Sequence, residues 1–233
     1  IKLIAGDVRK IEQPHIRKMM EDRGYGMTAM APAFEEKPFM EYHLYTLGRT
    51  STINNNQIKQ IEFITPALNV PANKIYLYER SKKADKVQVK FEFDNSEKNN
   101  LGIALPKGKV RVFKKDTDDS LEFVGEDLID HTPKDEKLSL YIGDAFDIAV
   151  EYKLLDSRAD RRMRWEKRSI ELRNRKDSAV TVFVDEKFSP WVNWKIDESS
   201  HSYVKKDAAT ARFTAELAAN TTATLEYSVT QKW

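Results

Sequence analysis

The chain contains no cysteine. Disulfides, zinc–thiolate sites and cysteine nucleophiles are therefore excluded. Histidine is scarce: His15, His43, His131 and His201 are the whole set, and no two lie at metal-ligand spacing. The eight glycines form neither a phosphate-cradling loop nor a nucleophile elbow. Nucleophilic catalysis thus has no motif to stand on, and no cofactor is expected. Charge of one sign is also lacking. Lys plus Arg is 39 and Asp plus Glu is 37, a balance of +2, so nucleic acid is not an expected partner. No apolar run approaches the ~18 residues of a membrane span, and no basic-then-apolar leader opens the chain. The strand-like start at Ile1, IKLIAGDV, reads as the interior of a longer protein.

What the chain has in abundance is alternation. Successive side chains of a strand face opposite ways, so a period of two marks a half-buried strand. In KVQVKFEFD, Val87, Val89, Phe91 and Phe93 share a face; in KLSLYIG, Leu138, Leu140 and Ile142 do; in AVTVFVDE, Val180, Val182 and Val184 do. Further runs are EYHLYTL, QIKQIEFI, NKIYLYE, KVRVFK, FDIAVEYKLL, SIELRN, ARFTAEL and ATLEYSV. Asn54-Asn55-Asn56, Asn99-Asn100, Pro106-Lys107-Gly108, Pro133-Lys134-Asp135 and Arg175-Lys176-Asp177-Ser178 read as the turns between them.

Polar alternate positions are the habit of antiparallel sheets with one wet face. The expected fold is all-β: antiparallel β-sandwiches, two immunoglobulin-like units, with at most one short helix at Gln13–Arg23. The expected divisions are 1–40 (a strand fragment and linker), 41–155 (a first sandwich) and 156–233 (a second). A chain of 233 residues can bury about 70% of its unfolded surface and needs no staples.

Few residues suggest chemistry. KKDTDDSLEF places Asp116 and Asp118 at calcium-loop positions 1 and 3, with Asp127 at position 12, but position 6 is Leu121 rather than the glycine of a sharp loop. A hairpin turn capped by aspartates is the competing reading. Asp144 and Asp147 are a candidate carboxylate pair for glycoside chemistry, with Asp130-His131 a weaker addition. Residues Lys153–Lys176 hold ten basic and four acidic residues, a local +6, with Trp165 among them. Arg161, Arg162, Arg164 and Trp165 could follow a polyanion; the alternative is a solvated strand whose charges pair with acids elsewhere. In FSPWVNWK, Trp191 and Trp194 could form a platform for a sugar ring or be packing residues, and at a spacing of three on a strand at most one should be buried.

LGIALPKGKVRVFKKD (101–116), FVGEDLIDHTPKDEKLSLYIGDAFDIAVEYK (123–153) and IELRNRKDSAVTVFVDE (170–186) resemble a bacterial domain of unknown function, the C-terminal domain of mucoidy-inhibitor-like proteins. The resemblance implies an all-β domain of exported, envelope-associated bacterial proteins and implies no reaction. One departure is visible: where that family's acidic turn is followed by glycine, this chain has Asp118-Asp119-Ser120. The expected function is a non-enzymatic interaction or structural module outside the cytoplasm. Its partner would be a protein or glycan, met by strand addition or by a patch at Trp191 and Trp194. A hydrolytic enzyme and a polyanion binder over 158–176 are the alternatives.

Overall fold

The computed structural model describes residues 2–5, 34–40, 42–48, 50–64 and 66–233. The possible helix at 13–23 lies outside them. Among the described residues the chain is all-β, with a 3-10 turn at Glu97–Asn99 and no α-helix. Among the described residues no helix is long and apolar enough to cross a membrane. Contacts divide the chain into two discontinuous units: Ile1–Pro71 with Asp94–Lys109 and Leu128–Glu136, and Ala72–Phe93 with Val110–Asp127 and Lys137–Trp233.

In the first unit, β1 (Lys2–Ala5), β2 (Phe34–Phe39) and β3 (Tyr42–Leu47) form an antiparallel sheet in the order β1-β3-β2. Phe34–Phe39 was expected to be linker. It pairs nonetheless, and Pro38 is tolerated because β2 is an edge strand. QIKQIEFI, by contrast, forms no strand. Its alternation meets no partner ladder among the described residues, and Phe63 packs against the rings of Phe34 and Tyr45 at 5.2 and 4.6 Å.

Buried Asn95 ties three loops of this unit together. Its Nδ2 donates to the carbonyls of Ile103 (2.7 Å) and Pro133 (2.8 Å), and its Oδ1 accepts from Gly102 N–H (3.2 Å). Gly102 sits at φ 89°, and a Cβ there would come within 2.5 Å of Glu97 Cγ. Only glycine suits that position.

The second unit holds β4 (Asn73–Tyr78), β5 (Lys86–Asp94), β6 (Gly108–Lys115), β7 (Leu121–Ile129), β8 (Lys137–Ala159), β9 (Met163–Asn174), β10 (Val180–Lys187), β11 (Asn193–Ser199), β12 (Tyr203–Asp207), β13 (Thr210–Leu217) and β14 (Thr222–Lys232), except that the end residues Asp94, Gly108, Lys109, Leu128 and Ile129 of β5, β6 and β7 fall in the first. Nine of them form one mixed sheet, β11-β14-β9-β8-β5-β4-β10-β13-β12, in which β4 and β10 run parallel. The boundary expected near 155 falls inside β8, at a register shift between Leu154 and Asp156.

The nine strands do not lie flat. β14 and β13 are six places apart in the order, roughly 29 Å in a planar sheet. Yet the rings of Phe213 (β13) and Tyr227 (β14) are 4.8 Å apart. The sheet therefore folds over on itself, and its inner faces enclose one core. Val182, Val184, Ile170, Leu172, Leu225, Val229 and Phe213 are fully buried there, at the positions that alternation assigns to one face.

Toward one end of this core the alternation delivers charge instead of hydrocarbon. Arg168 and Glu166 on β9, Glu186 on β10 and Tyr227 on β14 all occupy inward positions and are buried. Arg168 donates to Glu186 Oε2 at 2.7 Å, to Glu166 Oε2 at 3.1 Å through Nε and again through its terminal nitrogen, and to the Tyr227 hydroxyl at 3.2 Å. One cation thus serves two carboxylates. The second oxygen of Glu186 has no hydrogen-bond partner among the described residues. Burial pushes the Glu186 carboxyl up, against the pull of Arg168.

Asp185 shows the opposite balance. Burial alone would raise its pKa, but Arg212 grips it at 2.7 and 2.8 Å, Lys206 adds a contact at 3.2 Å, and together they hold the carboxyl below its ordinary value of 3.8. A folded-state pKa below the unfolded one gives stability that is complete above the unfolded value and lost as pH falls through the folded one. Asp185→Asn is accordingly expected to cost about 2 kcal/mol at pH 7. In denaturant titrations that cost should shrink as the pH falls below 3.8 and through the lower folded-state value, where the wild-type carboxyl also loses its charge. A cost independent of pH would show that the ion pair does not carry it.

Candidate interaction surface

The β8–β9 hairpin turns at Asp160–Met163. Asp160 N–H donates to the Met163 carbonyl and Arg162 N–H to Asp160 Oδ1, both at 2.8 Å, so the aspartate side chain caps the turn. Arg161 and Arg162 are carried at its tip, exposed, and neither has an ion pair among the described residues. The neighbouring strand β14 brings Trp233 to the same place. Its indole N–H donates to the Arg161 carbonyl (3.1 Å) and its backbone N–H to that of Arg162 (3.3 Å). On the far side of β14, Asn193 of β11 pairs with Lys232, which sets Trp191, two residues earlier, at this end of the sheet. Trp191 is 88% and Trp233 57% exposed.

A row of side chains runs back from this end on one face of the sheet. Lys195, Thr230, Trp165 and Arg158 are cross-strand neighbours in register. The Arg158 guanidinium lies 5.2 Å from the Trp165 ring centre, a cation–π distance, and 3.4 Å from Asp156. Arg164 reaches Glu166 at 3.9 Å. The structure thus gathers Arg161, Arg162, Arg164, Trp165 and Trp191 onto one end of the sheet and adds Trp233, which sequence reasoning missed. Nothing local marks Trp233; only the β14 register shows its neighbours.

Trp194 goes elsewhere. It stacks on Phe188 at 4.6 Å inside the core, its indole N–H bound to the Ala208 carbonyl at 2.7 Å. A two-tryptophan platform is therefore not formed. The spacing argument that at most one of the pair is buried describes what is seen.

The remaining basic residues of 153–176 are mostly spent inside the molecule. Lys153 and Arg173 pair with Glu151, Lys167 with Glu226 (3.8 Å), Lys176 with Asp147 (3.3 Å), and Arg168 is in the core. The long stripe expected of a polyanion track shrinks to the hairpin tip.

The metal candidates are not brought together. Asp116–Asp119 is the β6–β7 turn: Asp119 N–H bonds the Asp116 carbonyl, Asp116 N–H the Ser120 carbonyl, and Ser120 N–H donates to Asp118 Oδ1 at 3.0 Å. Asp119 takes φ 69°, the place a glycine would suit. Asp127 lies seven residues past Ser120, roughly 23 Å along the strand, and accepts from Tyr141 N–H at 2.7 Å. Asp116, Asp118 and Asp127 therefore cannot share one ion, and among the described residues no acid or histidine cluster could hold a metal.

The carboxylate pair is likewise divided between partners. Asp144 accepts from Lys83 (2.7 Å) and the Tyr141 hydroxyl (2.9 Å), while Asp147 belongs to Lys176. Burial raises the Asp144 pKa, but Lys83 and Tyr141 outweigh it and hold the carboxyl below 3.8. A glycosidase acid needs the reverse shift. In the first unit, His131 Nδ1 accepts from Lys107 N–H at 3.1 Å, and Asp130 lies 3.8 Å from Lys107 Nζ.

No family model matches the chain, and neither a curated protein nor a solved structure matches it.

The outer strands β11 and β12 each carry a bulge, between Ile196 and Glu198 and between Lys205 and Asp207, and β12 adds Lys205 and Lys206. Bulges and edge lysines discourage strand addition there. The exposed end at Trp191, Trp233 and Arg161–Arg162 is the better contact surface.

Proposed function

We propose that this chain is a non-enzymatic all-β interaction module of an envelope-associated bacterial protein. It would engage its partner, a protein or a glycan, through the end of the large sheet that carries Trp191, Trp233, Arg161 and Arg162. The observation that carries this reading is the placement of two exposed indoles and two arginines without ion pairs among the described residues at one end of the large sheet. Aromatic and arginine side chains are the residues most enriched among those that dominate binding energy. The placement outside the cytoplasm and the kinship with mucoidy-inhibitor-like domains rest on the sequence blocks quoted above. The finer fold description, an immunoglobulin-like sandwich for the second unit, is part of the same proposal. The overfolded sheet with its single core supports it.

The test compares capture from envelope extracts and glycan arrays by wild-type protein and by Trp191→Ser/Arg161→Ser. Both positions are exposed, so the variant should melt as the wild type does. Specific capture by the wild type, weakened at least tenfold in the variant, is the expected result. Equal capture by both would reject this surface. A polyanion partner, favoured by the bare Arg161 and Arg162, would show itself by binding that falls steeply with salt.

A further inference from the structure

The β6–β7 hairpin stands apart from the nine-stranded sheet as a sheet of two strands. It is anchored where β7 meets β8: a Cβ on Gly125 would come within 2.3 Å of the Ile142 carbonyl oxygen, so only glycine permits that approach. Toward the turn the hairpin is left in solvent. Phe113 is 50%, Leu121 67% and Phe123 55% exposed, and the two phenylalanine rings meet edge to face at 5.7 Å. A lone two-stranded hairpin is marginal in water, and exposed aromatics on one are a liability unless another surface takes them.

The charges of the two strands are segregated. β6 carries Lys109, Arg111, Lys114 and Lys115 and no acid, whereas β7 carries Glu122, Glu126 and Asp127 and no base. Within the hairpin the two strands already meet with unlike charges, Arg111 facing Glu126 at 3.3 Å, while nearer the turn Lys115 contacts Asp119 and Glu122 accepts from the Ser120 hydroxyl. Pairing β6 with a second β6 would oppose lysines, and pairing β7 with a second β7 would oppose carboxylates; like charges across strands are destabilising. The unlike pairing alone is electrostatically complementary.

We propose that the β6–β7 hairpin is a self-association arm, in which the β6 edge of one copy receives the β7 edge of a second copy as an added strand, with Phe113, Leu121 and Phe123 covered at the junction. The lysines that commonly blunt an edge here exclude only the like pairing. The contact is heterologous, because each copy uses a different edge, so every junction leaves one free β6 and one free β7 edge and assembly continues past the dimer. This surface is separate from the tryptophan–arginine end, and the two stand or fall independently.

The test is sedimentation velocity on the whole chain from low to high micromolar concentration, at low and at moderate salt. Wild-type protein is expected to grow beyond dimers with concentration, and less so as salt screens the junction. Lys114→Glu/Lys115→Glu removes the receiving edge and Glu122→Lys the donated one, so each variant alone should remain monomeric. Their mixture should assemble past the dimer again, because both junctions then pair unlike charges: the native β6 of one variant with the native β7 of the other, and the reversed β6 with the reversed β7. Phe113→Ser/Phe123→Ser should also remain monomeric. All these positions are exposed, and an unchanged buried-Trp194 fluorescence melt confirms the fold. A monomeric wild type at the highest concentration would overturn the proposal, as would charge variants that assemble like the wild type or a mixture that forms no dimer.

Discussion

Exchange of Arg168 for methionine is expected to lower stability by about 3–5 kcal/mol at pH 7. The reason is the number of carboxylates it serves. Glu166 and Glu186 are both buried, and their principal counterion is the single guanidinium between them. Removing it leaves two like charges in a medium that solvates neither. For a protein of this size the melting temperature should fall by roughly 6–20 °C. Arg168→Lys keeps the charge but cannot span both acids with a planar fork, and is expected to recover part of the loss.

A companion variant separates charge from packing. Replacing Arg168, Glu166 and Glu186 together by Met, Leu and Leu should recover most of the stability, since apolar groups of similar volume need no counterion. Acid should also relieve the Arg168→Met defect, because protonation neutralises the stranded acids, beginning with Glu186, whose pKa burial already raises. Chemical denaturation at pH 7 and pH 5 reads both effects. A loss below about 1 kcal/mol at pH 7 would mean that the two acids are not ionised in the wild type, and the account of this cluster would fail.

The second large effect is expected at Asn174. Its side chain is fully buried, and all of its hydrogen bonds are to main chain: Nδ2 to the carbonyls of Ser178 (2.9 Å) and Ala218 (2.8 Å), Oδ1 from Lys176 N–H (3.0 Å). The link joins the connection after β9 to the turn after β13, where Asn174 N–H also meets the Thr221 carbonyl at 2.8 Å. Asn174→Ala removes three bonds and strands their backbone partners, at an expected cost of about 3 kcal/mol. Asn174→Asp should be worse, since a carboxylate would face two carbonyls. Asn220→Gly is the control, because the side chain makes only an exposed bond to Asp177 and glycine keeps the φ of 55° at no steric cost, so it should cost under about 1 kcal/mol. If denaturant titrations gave Asn174→Ala and Asn220→Gly the same small loss, the stitching role would be wrong.

These two residues show where sequence reading stops. Arg168 stands among ten basic residues in a stretch of 24, and a charge run is ordinarily a solvated face. Its parity on β9 is the same as that of Ile170 and Leu172, so the strand period did point it inward. Yet its type argued for water, and only a fold that sets Glu186 opposite resolves the conflict. Asn174 looks like any turn residue; that its amide bridges two turns depends on a turn 44 residues away.

Trp191 and Trp194 divide by the same logic. Alternation forbade a shared face but did not say which indole was buried.

The sequence by itself determined the class of the protein. Period-two patterning placed β5, β10, β13 and β14, and turn-forming residues such as Asn100, Asp119 and Asp135 took the positive φ values they tolerate. The tertiary structure alone decided the order of the nine strands, the parallel pairing of β4 with β10 and the folding-over of the sheet. It alone brought Trp191, Trp233 and Arg161 to one end. Alternation is a local property, set by the pleat within a few residues, whereas the choice of neighbour is made by burial summed over strands far apart in the chain.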